Sequence, residues 1–170
     1  MPTPDLPTRD RRDLPTRDLP APAGRIVLLL SGPNLDLLGT RQPDIYGAET
    51  LSDHVRAAEA VARTHGLTLE HLQSNAEDTL VEAVHAARTR VAAIVVNAGA
   101  LTHYSWSLAD ALAAFEGVVV ELHLSNPNSR EPWRHTSVVA PLADGSICGF
   151  GGAGYELAIE AVAKLVERGR

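Results

Sequence analysis

From Arg25 onward, short apolar runs alternate with longer stretches in which apolar residues recur every three or four positions. The runs Arg25–Leu30, Leu67–Leu72, Val91–Val96 and Val118–Leu124 read as strands, and Ser146–Phe150 reads as a fifth. Val91–Val96 is apolar without interruption, as a strand covered on both faces requires. Between the runs the spacing is helical. In Thr50–His65, Leu51, Val55, Ala58 and Ala62 share one face, and Gly66 marks the stop. Thr50 and Asp53 have the separation of a capping box. Asp78–Arg90 turns Leu80, Val84 and Ala87 inward. Ser105–Phe115 does the same with Leu108, Leu112 and Phe115 before Glu116-Gly117 ends it, and Tyr155–Glu167 is a final helix. Repeated strand–helix units predict a parallel sheet with right-handed crossovers. The expected fold class is therefore α/β, a flavodoxin-like three-layer sandwich around a five-stranded parallel sheet.

The beginning of the chain follows another pattern. Met1–Ala23 contains Asp-Leu-Pro-Thr-Arg-Asp twice, at Asp5–Asp10 and Asp13–Asp18, and has almost nothing to bury. Residues 1–23 read as a disordered leader, and residues 24–170 as a single catalytic domain.

Composition narrows the function classes. The 170 residues, 45% of them hydrophobic, are enough for one domain with its own core. A net charge of −6 with no basic stripe argues against nucleic acid or an anionic membrane as partner. No apolar stretch approaches membrane-spanning length, and the N-terminus lacks the apolar core of a signal peptide. Cys148 stands alone, so no internal disulfide forms and a cytoplasmic location is expected. Lys164 is the sole lysine.

Candidate chemistry collects where the strands end. Ser31-Gly32-Pro33-Asn34 follows the first, Gln73-Ser74-Asn75 the second, and Asn97 through His103 the third. The fourth delivers Glu121 and His123, then Ser125, and the connection beyond holds Arg130, Glu131, Arg134 and His135. Polar side chains converging on one sheet edge are what a pocket in this architecture needs. Singly, each has a plainer reading. Asn34 and Asn97 could shape turns, His123 could be a core histidine, and Arg130 and Arg134 could form a solvated cluster with Glu131. His54, His65, His71 and His85 read as structural. His123 gains weight from Glu121, two positions earlier and able to face the same side. A carboxylate on one ring nitrogen fixes the tautomer and favours a proton on the other.

The loop Gly32–Gly47 adds Arg41 five residues before Tyr46. A fixed positive charge near a phenol favours phenolate, so this tyrosine could act as a base. Gly149–Gly154 matches G-x-G-x-x-G literally, but no strand–helix–strand unit follows, so these glycines read as a turn into the last helix. No histidine or carboxylate spacing resembles a catalytic zinc helix, and no metal or other cofactor is expected.

Together the segments GPNLDLLGTRQPDIYG, QSNAEDTLV, VNAGALTHYS and ELHLSNPNSREPWRHTS resemble type II 3-dehydroquinate dehydratase, from about Arg25 to the C-terminal helix. The resemblance implies trans elimination of water from 3-dehydroquinate to 3-dehydroshikimate, by subunits that form trimers and then a homododecamer. It implies Tyr46 as base, Arg41 as its activator, and the loop Thr40–Gly47 as a lid. Asn34 would hold the water that stabilises an enolate, and His123, oriented by Glu121, would protonate the departing hydroxyl. Backbone N–H groups of Leu124 and Ser125 would take the substrate carboxylate. Asn97, His103 and Arg134 would hold the ring hydroxyls and the carboxylate region. Asp110 would reach in from a neighbouring subunit, and Arg130 would support the edge. Ser31, Asp36, Asp78 and Trp106 depart from the family's usual residues without removing one the chemistry needs. The type I enzyme uses a lysine Schiff base, and Lys164 lies far from the strand ends. The competing reading is a non-catalytic flavodoxin-like small-molecule binding module, which has no need of the Arg41 and Tyr46 pair.

Overall fold

The computed structural model describes residues 25–40 and 49–168. The leader at 1–23, and Arg41 and Tyr46 in the expected lid, lie outside the described residues.

Five strands form one parallel sheet: β1 (Ile26–Ser31), β2 (Thr68–Gln73), β3 (Ala93–Asn97), β4 (Val118–His123) and β5 (Gly145–Cys148). Their order across the sheet is β2-β1-β3-β4-β5. Four helices cover it: α1 (Leu51–Thr64), α2 (Glu77–Ala87), α3 (Trp106–Ala113) and α4 (Ala153–Glu167). The alternation of strand side chains sorts the interior into two cores. Val27, Leu29, Val95 and Val120 point toward α1 and α4, where Val55, Ala58, Tyr155 and Ile159 meet them. Leu28, Leu30, Ile94 and Val119 point toward α2 and α3, against Leu80, Val84, Leu108 and Leu112. Burying one such leucine, valine or phenylalanine stabilises by about 1.5–3 kcal/mol. The three layers of the flavodoxin-like sandwich follow directly from the period-two pattern of the strands.

The helix starts obey local chemistry. Thr50 caps α1 by a full capping box: its hydroxyl accepts from the Asp53 N–H at 3.2 Å while the Asp53 carboxylate accepts from the Thr50 N–H at 2.9 Å. Ser105 caps α3 by accepting from the Leu108 N–H at 3.0 Å, so the helix begins one residue later than the apolar spacing suggests. The fifth strand stops at Cys148 rather than Phe150, because Gly149 takes φ 87° and turns the chain toward α4. The glycine-rich stretch is indeed a turn. α2 ends at Ala87, three residues short of the expected Arg90, where the N–H of Arg90 folds back onto the Ala87 carbonyl at 3.0 Å. Among the described residues, no helix is long and apolar enough to cross a membrane.

Strand order places the ligand position. The chain runs from β1 outward to β2 and then returns past β1 to β3. In open parallel sheets of this order the crevice opens at the carboxyl ends of the strands flanking that reversal. Here those ends are Ser31 and Asn97, paired in register, with the Gly32 N–H donating to the Asn97 carbonyl at 2.8 Å. A Cβ at Gly32 would stand 2.5 Å from the Ala98 carbonyl oxygen, so only glycine lets the two chain segments leave the sheet this close.

Candidate active site

A cleft of about 160 Å³ opens at this edge. From the β1 end it is lined by Asn34, Leu35 and Leu38, from β3 by Asn97 and His103, and from β4 by His123, Leu124 and Ser125; Arg130 and Arg134 close its far side. The structure therefore brings together Asn34, Asn97, His103, His123, Leu124, Ser125, Arg130 and Arg134 from widely separated parts of the sequence. Glu121 stands behind His123, 1% exposed. Asp110 lies on the exposed side of α3 and does not line the cleft of its own chain.

Glu121 and His123 face the same side of β4, as a strand's alternation requires, and His123 Nε2 meets Glu121 Oε1 at 3.0 Å. Three hydroxyls complete a cage around the carboxylate. Ser137 donates to Oε1 at 2.7 Å, Thr102 to Oε1 at 3.1 Å, and Ser146 to Oε2 at 3.1 Å. Burial by itself pushes the Glu121 carboxyl up; bonds from His123, Ser137 and Ser146, with the nearby His123, outweigh it and hold the group below the ordinary glutamate value. Glu121 is thus a buried, fixed anion. It engages Nε2 of His123, whose ring lines the cleft.

His103 is fixed in the same manner. Its Nδ1 donates to the Thr136 carbonyl at 2.7 Å, and its ring lies nearly parallel to that of His123 at 6.5 Å between centroids. Trp133 packs edge-on against His103 at 5.2 Å, and the Arg134 guanidinium lies over the Trp133 ring at 3.9 Å. Arg134 also donates through Nε to Glu131 at 2.7 Å. The ion pair that sequence offered as a plain reading is present, and it orients a guanidinium that lines the cleft. Arg130 donates to the Ser125 hydroxyl at 3.4 Å.

Asn97 is almost fully buried. Its Nδ2 donates to the Tyr155 hydroxyl at 3.5 Å and its Oδ1 accepts from the Gly99 N–H at 3.4 Å. Tyr155 also bonds Ser31, and its ring stacks on His54 at 5.2 Å. Ser31 in turn meets His71 Nε2 at 3.1 Å. Thr102, Ser137, Ser146 and Tyr155 were not singled out in the sequence. Three are small hydroxyl residues in loops or at a strand edge, and only the register pairing Glu121 with Ser146 gives one of them away.

Comparison with known sequences shows which family the chain belongs to. The model of the family described as Dehydroquinase class II matches residues 25–163. The chain belongs to the class II dehydroquinases. Members resembling it include "3-dehydroquinate dehydratase 2" of Pseudomonas aeruginosa, 52% identical over 143 residues that cover 84% of this chain and 97% of that one. The protein of the same name from Pseudomonas putida is 49% identical over 142 residues, covering 84% of this chain and 95% of the other. Among solved structures, a type II dehydroquinase from Butyrivibrio crossotus superposes with a TM-score of 0.78 at 37% identity, over 81% of this chain and 96% of its own. Among the described residues, no group of three or more His, Cys, Asp or Glu side chains is placed to hold a metal ion.

Proposed function

We propose that this chain is a lyase that removes water from 3-dehydroquinate to give 3-dehydroshikimate, with His123 as the acid of the reaction. Family membership carries the overall activity. The observation that carries the residue assignment is the Glu121–His123 pair, with its carboxylate caged and its ring lining the cleft.

The reaction needs a base, a place for negative charge and an acid. Tyr46 takes the proton from the carbon beside the ketone, and the electron pair moves onto the carbonyl oxygen as an enolate. Asn34 holds a water against that oxygen. The enolate then collapses: the carbonyl re-forms, a new carbon–carbon double bond appears, and the carbon–oxygen bond to the hydroxyl breaks. His123 gives its proton to the departing hydroxyl, which leaves as water. One proton is taken and one is given, so the overall change is loss of one water. Glu121 stabilises the charged ring that His123 needs at the start of this step and keeps it aimed.

Arg41 supplies the charge that makes the phenol basic. An ordinary tyrosine ionises near pH 10, so a working phenolate at neutrality requires about 3–4 kcal/mol of preferential stabilisation. Arginine suits this because it keeps its own proton. Backbone N–H groups of Leu124 and Ser125 take the substrate carboxylate, with Arg130 supporting that edge. Asn97, His103 and Arg134 hold the ring hydroxyls and the carboxylate region. Asp110, exposed on α3, serves the cleft of a neighbouring subunit in a homododecamer built from trimers, and the enzyme works in the cytoplasm.

Three measurements test this reading. Tyr46→Phe abolishes turnover while substrate binding persists; retained turnover removes Tyr46 as base. Arg41→Gln moves the onset of activity to higher pH, and an unchanged pH profile rejects its role. Borohydride added with substrate leaves activity intact, whereas inactivation would point to a lysine Schiff base instead.

A further inference from the structure

The stretch Gln73-Ser74-Asn75 ends β2 beside the cleft, yet the chemistry above gives it no task. Asn34 is the single non-glycine with positive φ among the described residues, at φ 66° and ψ 4°. A left-handed backbone is unfavourable for a residue with a side chain, least so for asparagine, and it persists where neighbouring groups hold it. The group that holds it here is Asn75. The Asn34 N–H donates to Asn75 Oδ1 at 2.7 Å, across 41 residues of sequence.

The Asn75 amide is fixed in turn. Its Oδ1 accepts a second bond from Gln73 Nε2 at 3.3 Å, and its Nδ2 donates to Asp36 Oδ2 at 3.3 Å. Gln73 Nε2 also reaches the Gly32 carbonyl at 3.4 Å. One amide therefore grips the turn at two points, the backbone N–H of Asn34 and the side chain of Asp36. The φ and ψ of Asn34 set the direction of its Cα–Cβ bond, and hence where its own amide stands in the cleft.

We infer that Asn75 is a positioning residue: it holds the left-handed turn that sets where Asn34 keeps its water against the enolate oxygen. This rests on the reading of Asn34 as the residue that steadies charge during the reaction. A group that meets charge only as it develops affects kcat and leaves KM nearly unchanged. Loosening its backbone produces the same signature without touching the substrate.

The test compares four variants of the full chain on 3-dehydroquinate: Asn34→Ala, Asn75→Ala, the two together, and Asn75→Asp combined with Asp36→Asn. The last exchanges donor and acceptor between positions 75 and 36. It keeps an oxygen at 75 for the Asn34 N–H and a donor at 36, with net charge unchanged. The expected results are a fall in kcat of about tenfold for Asn75→Ala with KM within about twofold, no further loss when Asn75→Ala is added to Asn34→Ala, and recovery of most of kcat in the exchanged pair. Normal kcat in Asn75→Ala beside a slow Asn34→Ala overturns the inference and leaves the role of Asn34 standing. So do additive losses, failure of the exchanged pair to recover, or a loss that appears in KM and Tm instead of kcat. Full activity in Asn34→Ala overturns the role of Asn34 itself, and the inference with it.

Discussion

Glu121 and His123 stand two residues apart on β4 and meet at 3.0 Å, with the carboxylate sealed from solvent and the imidazole lining the cleft. A period of two is the spacing that puts neighbouring strand side chains on one face. One strand therefore supplies both the imidazole proposed as the acid and the buried anion that orients it.

The cage around Glu121 sets a pH dependence. Burial pushes its carboxyl up, but bonds from His123, Ser137 and Ser146 more than offset this and leave it below the ordinary value of 4.5. A carboxyl lowered on folding contributes stability that is present above its unfolded value and lost as pH falls through the folded one. Thermal unfolding followed from about pH 7 to 3 is expected to show a steep acid-side fall in Tm for the native chain, and a flatter one for Glu121→Gln. At neutral pH the same variant is expected to lose about 10²-fold in kcat, because the ring is no longer held by a carboxylate. Identical Tm profiles would mean that the cage does not act on the carboxylate.

Tyr155 is a fixed hydroxyl and not a base. Burial pushes its phenol up to about 12, against the pull of its bonds to Asn97 and Ser31. Tyr155→Phe keeps the ring against His54 and removes the hydroxyl's bonds to Asn97 and Ser31. We expect KM to rise about three- to tenfold with kcat little changed, as suits a residue that orients Asn97, the proposed binding group. An ultraviolet titration of the phenols is expected to lose its step near pH 12 in this variant.

His54 lies buried on α1 with no hydrogen-bond partner for Nε2 among the described residues, and its Nδ1 is 3.8 Å from the exposed Glu49 carboxylate. An unsatisfied buried nitrogen costs about 1–3 kcal/mol. His54→Leu is therefore expected to raise Tm by about 2–6 °C in a scanning experiment, with kcat and KM unchanged. A lower Tm would show that stacking on Tyr155 outweighs the desolvated nitrogen.

The apolar pattern made the sheet legible because each strand carries its own evidence. Val91–Val96 declared a doubly covered strand, and β3 is buried along its whole length. Element ends were harder, since they turn on single bonds such as the Ser105 cap or on the positive φ of Gly149. In the site, the pairing of Glu121 with His123 was legible from their spacing of two. Asn34 and His103 were placed by their position after strands, and by family resemblance. The residues around them were hidden for a physical reason. Ser137 reaches Glu121 from a loop 16 residues on, Tyr155 reaches Asn97 from a helix 58 residues on, and no periodicity links such pairs. Only folding brings them into contact.

The most direct test of the account is the ultraviolet absorbance of the conjugated product after mixing 3-dehydroquinate with the native chain and with His123→Gln, whose amide is polar like the imidazole but far too weak an acid to protonate a leaving hydroxyl. The account predicts a rapid rise for the native chain and a rate at least about 10²-fold lower for the variant, with substrate still bound. An undiminished rate in His123→Gln would contradict it.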